Sequence, residues 1–99
     1  MNKRTVLVVD DEEVVGNLCA QILIEEGYDV TTVNEGTKAV EEAKRNSFDL
    51  LLTDLNMPGM SGLEVYQAVK KIRDDITTVV ITGQGTIESA IESLKMGIE

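Results

Sequence analysis

The sequence predicts an α/β fold in which a parallel sheet is covered by helices on both faces. Two observations carry that prediction. Four strand-like segments recur along the chain, two of them short, continuous apolar runs, and segments of helical period separate them, which is the pattern of strand–helix–strand crossovers. A third observation gives the fold a site. Asp10 and Asp11 close the first run, V-L-V-V, and Asp54 stands just past the run L-L-L. In such sheets the C-terminal ends of neighbouring strands open onto one crevice, so the three carboxylates can converge there.

The elements follow in order. Thr5 to Val9 is a short, continuous segment of apolar and β-branched residues, as expected of a strand buried on both faces. Residues 12 to 26 change period: Val15, Leu18, Cys19, Ile22 and Leu23 recur at helical spacing, Glu12 and Glu13 suit a helix N-terminus, and Gly27 supplies a stop. Tyr28 to Val33 reads as a second strand. Thr37 to Arg45 reads as a short helix with Ala39, Val40 and Ala43 on one face. Phe48 to Thr53 is a third, buried strand, and N-M-P-G-M-S-G at 56 to 62 is a loop dense in turn formers. Ser61 and Glu64 have capping-box spacing, so a third helix starts there and carries Leu63, Tyr66, Val69 and Ile72. Thr77 to Thr82 is the fourth strand. Gly83 and Gly85 break it, and Thr86 caps a fourth helix with Ile87, Ala90, Ile91 and Leu94 on its apolar face and Gly97 at its end.

Composition narrows the function. Ninety-nine residues make one small domain, and 42% hydrophobic with 27% charged residues is the balance of a globular chain. A formal charge of −9 opposes direct contact with nucleic acid, whose binding is driven by Lys and Arg. The single cysteine, Cys19, can form no internal disulfide, which fits a cytoplasmic setting. The apolar stretch after M-N-K-R is too short for a signal peptide or a membrane span. Histidine is absent, which removes imidazole bases and leaves carboxylates, hydroxyls and lysines as the available chemistry. Three crowded carboxylates repel one another unless a cation neutralises them, and a hard divalent ion such as Mg²⁺ prefers oxygen ligands of this kind.

The motifs V-V-D-D-E after the first strand, L-L-L-T-D-L-N-M-P-G-M-S-G-L-E around Asp54, and V-V-I-T-G after the fourth strand resemble, in order and spacing, the receiver domains of two-component response regulators. The tail T-G-Q-G-T-I-E-S-A-I-E-S-L-K-M-G is similar to that of receivers attached to enhancer-binding transcriptional activators. The resemblance implies a flavodoxin-like, doubly wound sheet of strand order 2-1-3-4. It implies that Asp54 is the phosphoacceptor, that Asp11 ligates Mg²⁺ directly and Asp10 through water, and that Asn56 offers a backbone carbonyl to the metal. Thr82 matches the switch hydroxyl that turns toward the phosphoryl group. The implied partner is a sensor histidine kinase or a phosphotransfer protein. The protein is then no enzyme in the usual sense but a phosphoacceptor that assists its own phosphoryl transfer.

Departures from the family pattern shape two further expectations. Gly83 stands where many receivers have alanine. The sequence given reaches Glu99 before the fifth strand, its lysine, and the fifth helix of a typical receiver, a difference of about 20 residues at ordinary element lengths. Lys95 falls in the fourth helix and does not match that lysine. The expectation is a domain over 1–99, incomplete at its C-terminus, that self-associates through strand four or the face of helix one. The alternative function is a phosphorylation-incompetent interaction or dimerisation module.

Blander readings stand beside these. Asp10 and Asp11 suit a helix N-terminus, yet that role does not call for a matching acid after the third strand. Thr82 alone is an ordinary strand residue. Cys19 is a packing residue, and Lys70, Lys71 and Arg73 form a solvated helix face. A metal-dependent phosphohydrolase would carry D-x-D where this chain has D-D-E. A flavin binder would need a Ser-, Thr- and Gly-rich phosphate loop, and the corresponding loop here is acidic.

Overall fold

The computed structural model describes residues 4–55 and 57–81. Within them the order is β1 (Thr5–Val9), α1 (Glu13–Glu25), β2 (Asp29–Val33), α2 (Gly36–Arg45), β3 (Leu50–Asp54), α3 (Gly62–Ile72) and β4 (Thr77–Ile81). All three strand pairings are parallel and the sheet order is β2-β1-β3-β4. This is the predicted order. The expected fourth helix, with Lys95, lies outside the described residues.

The centre of the sheet is buried on both sides, as the continuous apolar runs require. Val6 and Val8 of β1, with Leu50 and Leu52 of β3, pack under Cys19 and Leu23 of α1. Leu7, Val9 and Leu51 face the opposite way, onto Ala39 and Ala43 of α2 and Val65 and Val69 of α3. Strand alternation thus feeds two separate cores, and α1 lies alone on one of them among the described helices. The small residues Ala39 and Ala43 let α2 lie close to the sheet.

Local signals set the helix ends. Gly27 adopts φ +96° after α1. Its N–H donates to the Ile24 carbonyl at 3.0 Å and that of Tyr28 to the Leu23 carbonyl at 3.0 Å, the paired bonds of a Schellman stop. At the start of α3, Ser61 Oγ accepts from the Glu64 N–H and the Glu64 carboxylate accepts from the Ser61 N–H, a complete capping box. Helix α1 differs from its sequence pattern. Leu18, expected on the apolar face, is 45% exposed, whereas Gly16 and Ala20 are buried. Cys19 and Leu23 make the contact with the sheet, and Gly16 and Ala20 are buried on the same helix.

Candidate functional site

Register brings the acids together. Val9 pairs with Thr53 across the β1–β3 ladder, so the residues that follow, Asp10 and Asp54, leave neighbouring strands side by side. The Asp10 N–H donates to the Val33 carbonyl at 3.2 Å, which fixes the exit from β1 against β2. Asp11 is the next residue along. Carboxylate oxygens of Asp10, Asp11 and Asp54 all lie within 4.8 Å of one another. Asp10 is buried, Asp54 half-buried and Asp11 exposed, so the cluster opens to solvent on one side.

Asp10 is only 7% exposed. Its Oδ1 accepts from the Glu12 N–H at 2.8 Å, closing a turn that leads the chain into α1. Burial raises the Asp10 pKa above the usual 3.8, the Glu12 N–H acts against that, and the charges of Asp54, Asp11 and Glu12 add to the rise. A buried carboxylate disfavoured in its charged form by two neighbouring carboxylates is a donor set that a divalent cation completes. Oxygen-only ligands with an open side suit Mg²⁺, which keeps several of its own waters.

Asn56 and Thr82 lie outside the described residues. The structure adds features that the sequence pattern did not single out. A crevice of about 240 Å³ beside the cluster is walled by Asp10, Glu13 and Asn17 on one side and by Thr32, Asn34 and Lys38 on the other. Lys38 is held there by Asn34 Oδ1 at 3.1 Å and by Glu35 at 3.8 Å. Two glycines sit where no Cβ fits: Gly36 against Met60 and Val65, and Gly62 against the backbone of Asp54 and Leu55. Spacing in the sequence carried no sign of either contact, since both are approaches between distant elements.

Comparison with known proteins places this geometry. Residues 6–99 match the family model of the response regulator receiver domain. The chain is 33% identical over 93 residues to the probable transcriptional regulatory protein TcrX of Mycobacterium tuberculosis, covering 94% of this chain and 40% of that protein. A CheY-like receiver domain protein from Methanospirillum hungatei superposes with a TM-score of 0.81 at 28% identity, over 99% of this chain and 78% of that one. A response regulator from Burkholderia pseudomallei, solved with a phosphorylated aspartic acid, a calcium ion and citrate, superposes with a TM-score of 0.78 at 28% identity, over 96% of this chain and 56% of that one. The chain belongs to the response regulator receiver domains of two-component signalling and has their flavodoxin-like fold. Receivers are phosphoacceptors rather than classical enzymes, they act with histidine kinases or phosphotransfer proteins, and they use an acidic pocket for Mg²⁺. The chain spans less than half the length of TcrX. No helix among the described residues is long and apolar enough to cross a membrane.

Proposed function

We propose that residues 1–99 act in the cytoplasm as a receiver that takes a phosphoryl group on Asp54 from a sensor histidine kinase or a phosphotransfer protein. The observation that carries this reading is the convergence of three carboxylates within 4.8 Å at the ends of β1 and β3. Asp10, Asp11 and Asp54, with the backbone carbonyl of Asn56, would hold Mg²⁺, which lowers the repulsion between the acidic pocket and an anionic donor. An Asp54 carboxylate oxygen attacks phosphorus and the O–P bond forms as the N–P bond of the donor phosphohistidine breaks. The electron pair leaves with the imidazole, which takes up a proton. These 99 residues hold no histidine, so the donor histidine lies outside them. Thr82 follows β4 and serves as the hydroxyl that answers the new charge of about −1.5 to −2. The Burkholderia pseudomallei relative, with its phosphorylated aspartic acid and calcium ion, supports the assignment.

The net charge of −9 favours an output through protein contacts rather than direct binding to nucleic acid by this domain. A transcriptional role of the parent protein is supported by relatives such as TcrX. Val14, Leu18 and Ile24 are exposed on α1, which favours a second reading in which that face joins two copies. Intact mass spectrometry after incubation with a small acyl phosphate and Mg²⁺ tests the first reading. One phosphoryl group gained by the wild type and none by Asp54→Asn is the expected result, and no gain by either rejects it. Sedimentation equilibrium at micromolar concentration tests the second, which a purely monomeric distribution rejects.

A further inference from the structure

Helix α3 starts against the chain segment that carries the phosphoacceptor. The Gly62 N–H donates to the Leu55 carbonyl at 2.8 Å. A Cβ at residue 62 would overlap the Asp54 carbonyl oxygen, stand 2.7 Å from the Leu55 Cα and 2.8 Å from the Asp54 carbonyl carbon. These are backbone atoms, which cannot swing aside as the end of a long side chain can. The conformation of Gly62 does not itself require glycine. Positive φ among the described glycines is confined to Gly27 and Gly59, and alanine is favoured over glycine in a helix. Space alone demands the missing Cβ.

The neighbouring Asp54 carbonyl is held as well, since Thr53 Oγ1 donates to it at 3.2 Å and Thr53 is fully buried. The capping box fixes where the helix begins, with Glu64 N to Ser61 Oγ at 3.2 Å and Ser61 N to Glu64 Oε1 at 3.1 Å. We propose that Gly62 is a positioning residue for phosphoryl transfer. By allowing the capped start of α3 to press on the backbone at 54 and 55, it sets the peptide planes from which the Asp54 carboxylate projects. The inference rests on Asp54 being the acceptor and adds the element that aims it. A misplacement of about 1 Å at a reacting group costs up to ~10²-fold in rate.

The test measures, on the full chain, the initial rate of phosphoryl gain by intact mass at saturating Mg²⁺ and fixed acyl phosphate, well below every variant's unfolding midpoint so that folded fraction does not set the rate. Gly62→Ala is expected to lose about 10-fold or more. Gly36→Ala is the control. Its Cβ would stand 2.6 Å from Met60 Cβ and 2.7 Å from Val65 Cγ2, which disturbs the same loop away from the Asp54 backbone, so its rate stays within about twofold of wild type. Ser61→Ala removes the cap and is expected to slow transfer about threefold, while Ser61→Thr, which still caps, restores it. A Gly62→Ala rate within twofold of wild type overturns the proposal, as does an equal loss in Gly36→Ala. Should Gly62→Ala not fold, equal rates in Ser61→Ala and Ser61→Thr overturn it. A wild type that gains no phosphoryl group rejects the acceptor assignment itself, and the inference with it, whereas an active wild type with an indifferent Gly62→Ala rejects the inference alone.

Discussion

Asp10→Asn is expected to make the metal-free protein more stable while weakening its hold on Mg²⁺. Asp10 is 7% exposed, and its carboxylate lies within 4.8 Å of those of Asp11 and Asp54. Two unit charges at that distance repel by about 3.5 kcal/mol at an effective dielectric of 20 and about 0.9 kcal/mol at 80. Asp11 is exposed, so its share lies near the lower figure, and half-buried Asp54 falls between the two. Removing both repulsions yields about 2–4 kcal/mol. The amide of the variant still accepts from the Glu12 N–H, but a neutral bond replaces a charge-assisted one, at a loss of about 1 kcal/mol. The net is about 1–3 kcal/mol, a rise of roughly 5–20 °C in Tm for a domain of this size. The sign with pH follows from the raised pKa of Asp10. Folding favours its protonated form, so that contribution is fully present below the unfolded pKa of about 3.9 and is lost as pH rises through the higher folded value. The variant's advantage therefore opens above about pH 4 and closes below it. Thermal unfolding in EDTA at pH 4 and pH 7, repeated with Mg²⁺, measures all three effects. Wild type gains about 2.7 kcal/mol when free Mg²⁺ is 100 times its Kd, and the variant gains far less at the same concentration. An Asp10→Asn protein no more stable than wild type in EDTA at pH 7 would refute the reasoning.

Three further outcomes test the fold around the site. Leu51→Ala, at a fully buried position between β3 and the α2–α3 layer, is expected to cost about 2–5 kcal/mol in urea unfolding with m unchanged. Asp49→Ala removes the carboxylate that accepts from Thr5 N at 2.9 Å and Thr5 Oγ1 at 3.2 Å, and should cost about 1 kcal/mol by the same measurement, because Asp49 is exposed and water replaces part of the loss. Cys19 is 2% exposed, and burial, with the Asp10 charge second, raises its thiol pKa. A thiol reagent at pH 8 should therefore label the folded protein at the rate of opening rather than of thiol chemistry, and rapid labelling of the native state would contradict the packing of α1.

What the sequence revealed divides along physical lines. β1 and β3 were legible because burial on both faces leaves a continuous apolar run, and the start of α3 because a capping box is a local motif. Contacts between distant elements leave no such trace. Leu18 belongs to the helical stripe of α1 by hydrophobicity, yet it is exposed while Gly16 and Ala20 are buried, because packing between distant elements sets which arc of the helix is covered. Gly62 reads in the sequence as one more turn former and in the structure as the point where α3 meets the backbone of Asp54 and Leu55. Asp10 was legible in two ways, as an acid at a helix entrance and as a member of a pocket. Both hold, since one oxygen accepts from Glu12 while the carboxylate lies beside Asp54. β3 runs one residue beyond the apolar pattern because Asp54 still pairs with Ile81 of β4.

The two helix starts bear on the charge that the pocket needs. α1 begins three residues after Asp10, and α3 begins against the backbone of Asp54 and Leu55. Each helix N-terminus carries roughly +0.5 charge, so the two together supply at most about one positive charge against three carboxylates. Glu13 and Glu64 stand in those same first turns and take up part of it. Counting only these groups among the described residues, at least about two negative charges remain within a space 4.8 Å across. Dissolved salt does little for it, because the Debye length at 0.1 M is about 10 Å, twice that separation. A divalent cation matches the deficit in both magnitude and reach. A receiver built this way gains stability as it becomes loaded for phosphoryl transfer, so the same carboxylates that weaken the empty domain couple its stability to readiness for the reaction.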